Sequence, residues 1–229
     1  MDYLSGRYDQ LTTVKRQRLA QYRYQVFVER LGWQLSTPDD FEFDQFDHSG
    51  THYIVAQEQD GNIKGCARLL PTTQPYLLSE VFTALLGDQP APCGDDIWEL
   101  SRFTSLDLDA EGGKNEQVMS DENTVGLFMA TLEYARTCGV SHLVSVSPIA
   151  IGRLLKRGGI DYKWLAPPQV LTTEPSAPAT SRCSKTVRHA ITKNTSTEAA
   201  DTRRAAPFGV GRFHAMDSNC LKPTFNTEG

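Results

Sequence analysis

The chain reads as an α/β protein of the α+β kind, with one mixed sheet and helices on its faces. Three observations predict this. Two strand-like runs flank Asp60-Gly61-Asn62, which is a hairpin signal. A third run, Ile97 to Phe103, is followed by an amphipathic segment and then by the strand-like His142 to Ser147. Strand, helix, strand and helix in that order require a mixed sheet.

From Thr12 to Leu31, Val14, Leu19, Tyr22 and Val26 fall near helical spacing, and Gly32 stops the helix. On such a helix Arg23, Phe27 and Arg30 share one face. Gln34 to Gly50 is a polar, Asp-rich loop, long enough to act as a flap. The hairpin strands are His52 to Gln57 and Ile63 to Leu70, ended by Pro71 and Pro75. A loop rich in Pro and Gly leads to the 97–103 strand, and a second loop contains Glu111-Gly112-Gly113-Lys114. Asn123 to Thr137 reads as a helix burying Val125, Phe128, Met129, Leu132 and Ala135, with Gly139 just beyond its end. Pro148 is placed to open a last helix running to Arg157.

At 229 residues and 39% hydrophobic, the chain buries one good-sized core. We expect one domain over 1–171. The Thr-rich stretch 172–229, with few aliphatic residues beyond Val187, Ile191, Val210 and Leu221, reads as an atypical disordered tail without a strand signature. A net charge of -5 argues against nucleic acid as the main partner. Cys66, Cys93, Cys138, Cys183 and Cys220 form no Cys-x-x-Cys pair and no zinc spacing, so they read as reduced thiols and no metal is expected. With no signal-like or membrane-spanning apolar run, a cytoplasmic protein with no membrane partner is expected.

Trp98-Glu99-Leu100-Ser101-Arg102-Phe103 sets a carboxylate and a guanidinium into an apolar strand, and buried charge must be paired or used. Strict alternation puts Glu99, Ser101 and Phe103 on one face and Trp98, Leu100 and Arg102 on the other. Only a bulge brings Glu99 and Arg102 into one cleft. Taken alone, the pair also reads as a cross-strand ion pair on a half-exposed sheet. Asp44 and Asp47, beside Phe43 and Phe46, read either as a solvated flap or as a receptor for a cationic small molecule. A divalent cation lacks a third ligand there. Arg23, Phe27 and Trp33 suit packing at a helix end, and the two aromatic rings equally suit a purine or a cation.

Taken together, Arg23, Phe27, Trp33, Asp44, Asp47, Arg68, Phe82, Glu99 and Arg102 resemble, in order and spacing, the signature of the acyl-homoserine-lactone (autoinducer) synthase family. The resemblance continues through Gly139-Val140 and 145–159 to about Val170. It implies a fold like the Gcn5-related N-acetyltransferases: a twisted mixed sheet opened into a V-shaped cleft, with flanking helices. It also implies an acyltransferase that makes an N-acyl-L-homoserine lactone, a quorum-sensing signal, from S-adenosylmethionine and an acyl thioester on acyl carrier protein. Methylthioadenosine is released. S-adenosylmethionine is a substrate, and no further cofactor is implied.

On that reading Glu99 is the general base and Arg102 its catalytic neighbour. Arg23, Phe27, Trp33, Asp44, Asp47, Arg68, Phe82, Ser101 and Phe103 bind S-adenosylmethionine. Aromatic rings cover the sulfonium region, and arginine's planar fork takes carboxylates. Leu100, Ser145 and Ser147 line the acyl pocket, where relatives that prefer 3-oxo chains carry a Thr, so 3-oxo preference stays open. Arg153, Lys156 and Arg157 form a basic helix end that either receives the acidic carrier protein or simply complements the helix dipole.

The tail departs from the family, whose members continue past the Pro167-Pro168 region with strands that complete the sheet. Two other readings remain. An acyl-CoA N-acetyltransferase of the same fold needs a glycine-containing pyrophosphate loop after the bulged strand, and 104–117 lacks that pattern. A non-catalytic S-adenosylmethionine sensor would keep the pocket without turnover.

Overall fold

The computed structural model describes residues 1–35, 37–109, 121–148, 162–166, 169–171, 185–193 and 212–215. Strand β1 (Asp2–Arg7) leads through a single 3-10 turn to α1 (Thr13–Arg23). Thr12 caps α1 by accepting from the Lys15 amide at 3.3 Å. The continuous helix expected to Leu31 instead changes at Tyr24 into a π-helix, Tyr24–Arg30, closed by Leu31 N to Val26 O and Trp33 N to Phe27 O. Wide turns of this kind concentrate at functional sites. Gly32 ends the helix at φ +66, a conformation glycine adopts at no steric cost.

The hairpin forms as expected, with β2 (His52–Gln57) antiparallel to β3 (Ile63–Pro71). A short helix, α2 (Leu77–Glu80), precedes β4 (Ile97–Thr104), and α3 (Asp121–Thr137) precedes β5 (His142–Pro148). Strand β5 runs through Pro148, where the sequence suggests a helix start; the rest of that expected helix lies outside the described residues.

Strands β6 (Tyr162–Trp164) and β7 (Gln169–Leu171) both pair with β8 (Lys185–Lys193), and β9 (Arg212–Ala215) pairs with β1. The expectation of a tail without strands is corrected for these two segments. The β8 backbone finds partners along all of β5, from His142 to Pro148, and it carries the β-branched Thr186, Val187, Ile191 and Thr192. Tertiary pairing outweighs a weak side-chain pattern.

The sheet order is β6-β8-β5-β4-β3-β2-β1-β9, with β7 beside β8. Strands β4 and β5 are parallel, and their pairing stops at Leu100 and Ser145 although both strands continue. That divergence opens the cleft. On one face, α3 packs against Tyr3, Ile54, Ala67, Leu69, Trp98, Leu100 and Leu143. On the other face α1 and the π-helix cover Tyr53, Val55 and Cys66, while α2 and Phe46 cover Leu70 and Val144. No described helix is long and apolar enough to cross a membrane.

Candidate active site

The β3–β4 register shifts between Cys66 and Arg68, so that Cys66 pairs with Thr104 while Arg68 pairs with Ser101. One extra residue is therefore accommodated in β4, and Arg102 sits there at φ +49, a region non-glycine residues seldom occupy. The Cys66 thiol donates to the Arg102 carbonyl at 3.4 Å beneath the bulge, and burial pushes that thiol up to about 12.

The bulge resets the alternation. Glu99, Ser101 and Arg102 all serve the α1/α2 face, whereas Phe103 turns to the α3 face and packs edge-on against Phe128, with ring centroids 5.8 Å apart. Strict alternation had placed Phe103 with Glu99, and here the structure overturns it. The extra residue at 102 shifts every later side chain to the opposite face.

Around the bulge lies a buried ion network. The Arg23 Nε donates to Glu42 Oε2 at 2.5 Å, and its Nη1 reaches both Asp47 oxygens at 3.0 Å. Arg68 donates to Ser101 Oγ at 3.0 Å, Asp44 at 2.6 Å and Asp47 at 3.0 Å. Arg102 forks onto Glu42 Oε1 and Asp44 Oδ2, each 2.9 Å from Nη2. The Tyr53 hydroxyl also donates to Asp47. Three guanidiniums thus meet three carboxylates, Glu42, Asp44 and Asp47. Burial works to raise the Asp47 carboxyl, but Arg23 and Arg68 outweigh it and hold Asp47 well below the usual carboxylate range. Glu42 is lowered by the same contest, with burial opposed by Arg23 and Arg102.

Every charged member of this network is legible in the sequence except Glu42, and the neutral Tyr53 hydroxyl carries no sequence signal for the site. Glu42 lies in the Asp-rich loop between Phe41 and Phe43, and its one signal is that it precedes Asp44 by two residues. In the fold it joins Arg23 to Arg102, while Phe43, 50% exposed, faces outward. The Asp47 side chain is 1% exposed and that of Asp44 18%, so Asp47 and Arg23 form the interior frame and Asp44 the accessible edge. Among the described residues, no group of three or more His, Cys, Asp or Glu is arranged to hold a metal ion.

The aromatic residues complete this edge. Phe27 and Trp33 approach each other with centroids 4.7 Å apart, and the Arg102 guanidinium lies 5.5 Å and 5.4 Å from their ring centres. At these distances the rings attract a cation through their negative faces. Arg68 lies over Phe46 in the same way, at 5.8 Å. Phe82, just past α2, packs into the cluster of Phe46, Leu70, Leu77 and Val144.

Glu99 stands apart from the ion pairs. It is almost fully buried, and its two oxygens accept the Leu77 and Leu78 amides at 2.9 Å each. Burial pushes its carboxyl up to about 7, against the pull of those amides and of Arg68 and Arg102. An ionised carboxylate has about four acceptor sites, so two remain for a proton or a water. A group half-ionised near neutral pH suits general base work.

On the opposite face, Leu100 packs in the α3 core, and Ser145 and Ser147 bond to each other at 2.9 Å. Leu100 pairs with Ser145 where β4 and β5 part, so these three stand at the cleft's apex. Arg153, Lys156 and Arg157 lie outside the described residues.

Known proteins are similar to this chain over most of its length. The family model for autoinducer synthase matches residues 8–189. The acyl-homoserine-lactone synthase of Acinetobacter nosocomialis is 45% identical over 150 residues, 66% of this chain and 82% of its own. That of Pseudomonas aeruginosa is 38% identical over 177 residues, 76% and 82% of the two chains. The crystal structure of TofI in a ternary complex with an inhibitor and MTA superposes with a TM-score of 0.69 at 32% identity, over 85% of this chain and 92% of TofI. With this match across most of the chain, the protein belongs to the autoinducer synthase family, the acyltransferases that make acyl-homoserine lactones.

Proposed function

We propose that the chain joins S-adenosylmethionine to an acyl group delivered as a thioester on acyl carrier protein, with Glu99 as general base. The observation that carries this reading is the bulge at Arg102. It brings Arg102, with Glu42, Asp44, Phe27 and Trp33 around it, to the sheet face that already carries Glu99, a carboxylate pushed up to about 7. The complex of TofI with MTA supports a methylthioadenosyl-bearing substrate for that site.

S-adenosylmethionine carries a sulfonium, an ammonium and a carboxylate. Asp44 is the accessible acid for the cationic groups, Trp33 and Phe27 flank the sulfonium, and Arg102, the least buried of the three arginines, is the fork for the carboxylate. Arg23, Arg68 and Asp47 hold these groups in position from within. Phe82 and Ser101 shape the wall between them and Glu99. Phe103, on the far face, takes no direct part.

The α-amino group has a reference pKa of about 7.7 to 8.0, so it is mostly protonated at neutral pH and must lose a proton to attack. Glu99, directly or through a water, accepts that proton. The amine attacks the thioester carbonyl, the C–N bond forms, the C–S bond breaks and the carrier thiol leaves. The substrate's own carboxylate oxygen then attacks its γ-carbon, the C–O bond forms, and methylthioadenosine departs with the electrons of the C–S bond. Holding the carboxylate in line supplies much of that step. The acyl chain extends past Leu100, Ser145 and Ser147, and the carrier protein docks at Arg153, Lys156 and Arg157.

The test is turnover by the purified full chain with S-adenosylmethionine and either octanoyl-carrier protein or octanoyl-coenzyme A. Lactone and methylthioadenosine should appear together, with kcat/KM at least tenfold higher for the carrier-bound chain. A higher kcat/KM for the coenzyme A ester would overturn the donor assignment. Binding of S-adenosylmethionine without either product would leave a sensor in place of a synthase.

A further inference from the structure

A second concave site lies at the hairpin end of the sheet and shares no residue with the ion network. A cavity of about 230 Å3 is enclosed between the first turns of α1 and strands β1 to β3. Leu4, Leu11, Val55 and Ile63 form its apolar walls, and Val14, 59% exposed, stands at its mouth. Lys15 and Arg18, one turn apart on α1, line the same opening. Neither cationic head has an ion-pair or hydrogen-bond partner among the described residues. Gly61 closes the hairpin side, and a Cβ there would meet the Arg18 guanidinium at 2.8 Å. The glycine that the turn needs at φ +84 therefore also makes room for Arg18 over the cavity.

An apolar cavity with two unpaired cations at its rim and no acid in its lining suits an amphiphile with an anionic head. Its volume is below the roughly 300 to 1,000 Å3 of pockets for drug-sized ligands, which restricts the occupant to a tail of medium length at most. We propose that this cavity binds a medium-chain fatty-acid anion, with the tail against Leu4, Leu11, Val55 and Ile63 and the carboxylate between Lys15 and Arg18. Because α1 ends at Arg23, an occupant here braces the helix that carries one corner of the ion network. Binding at this cavity does not depend on turnover.

The experiment is a methyl NMR titration of the isotope-labelled full chain with sodium octanoate, with octan-1-ol as the uncharged probe of equal tail length. Octanoate should produce saturable shifts at the Leu4, Val55 and Ile63 methyls and bind about tenfold tighter than octanol. The Lys15→Glu/Arg18→Glu double variant should lose that preference while octanol binding stays unchanged. Equal binding of the two probes overturns the proposal, as do shifts confined to Leu100 and Leu143, or no shifts at all. Should the double variant fail to fold, the comparison of probes on the unaltered chain decides alone. None of these outcomes involves S-adenosylmethionine, so a failure here is separate from a failure of the synthase reading.

Discussion

Replacing Asp47 with asparagine tests the ion network where it is most enclosed. Asp47 Oδ1 accepts from Arg23, Arg68 and Tyr53, and Oδ2 accepts from Arg23 and the Asp44 amide. Asparagine keeps one of those oxygens and turns the other into a donor that faces donors. It also removes the charge that Arg23 and Arg68 share. Breaking a buried pair by removing one partner costs about 3 to 5 kcal/mol. For a chain of this size that lowers Tm by about 6 to 20 °C. Urea and thermal unfolding, followed by circular dichroism at pH 7, read both values. The pH dependence supplies the sign. An unfolded Asp titrates near 3.9 and the folded Asp47 well below it, so its stabilisation is complete above the unfolded value and fades as pH falls toward the folded one. The gap between the parent chain and Asp47→Asn should therefore narrow by about 1 kcal/mol between pH 7 and pH 3. A loss under about 1 kcal/mol at pH 7, or a gap that does not change with pH, would refute a buried, charge-paired Asp47.

Glu99 carries the opposite sign. Its folded value is pushed up to about 7 from an unfolded value near 4.3, so ionising it costs stability progressively as pH rises between those values. Relative to the parent chain, Glu99→Gln should gain stability between pH 4.5 and 7.5 in urea titrations, and a constant offset would contradict the assignment. At the α3 face, a Cβ at Gly126 would meet the Tyr3 hydroxyl at 2.1 Å. Gly126→Ala should therefore destabilise by about 1 to 3 kcal/mol despite alanine's better helix propensity. Removing the hydroxyl with Tyr3→Phe should restore part of that loss in a double-mutant cycle, and strictly additive effects would argue against the contact.

Hydrophobic periodicity made the hairpin, the 97–103 strand and α3 readable, because each signal is local. The site itself was readable as a set of residues but not as a geometry. Alternation placed Phe103 with Glu99 and Arg102 away from it, and the bulge at Arg102 reverses both. Nothing in the local composition announces a residue at φ +49; the bulge depends on how β3 pairs with β4. Glu42 was missed for a related reason. In the sequence it is one acid among several in a polar loop, and only the fold sets it between Arg23 and Arg102. The π-helix is likewise invisible to a 3.6-residue period, which continues smoothly through Tyr24. Strand β8 shows the converse limit. Its β-branched residues sit in a polar, Thr-rich stretch, and what makes it a strand is the open edge of β5.

The most direct test of the account is the pH dependence of kcat/KM for lactone formation, measured for the parent chain and for Glu99→Gln. With Glu99 as the base, activity should rise with pH along a limb centred near 7, and Glu99→Gln should lose about 10²- to 10⁴-fold together with that limb. A glutamine variant that keeps activity within threefold, or keeps the same limb, would contradict Glu99 as the group that deprotonates the amine.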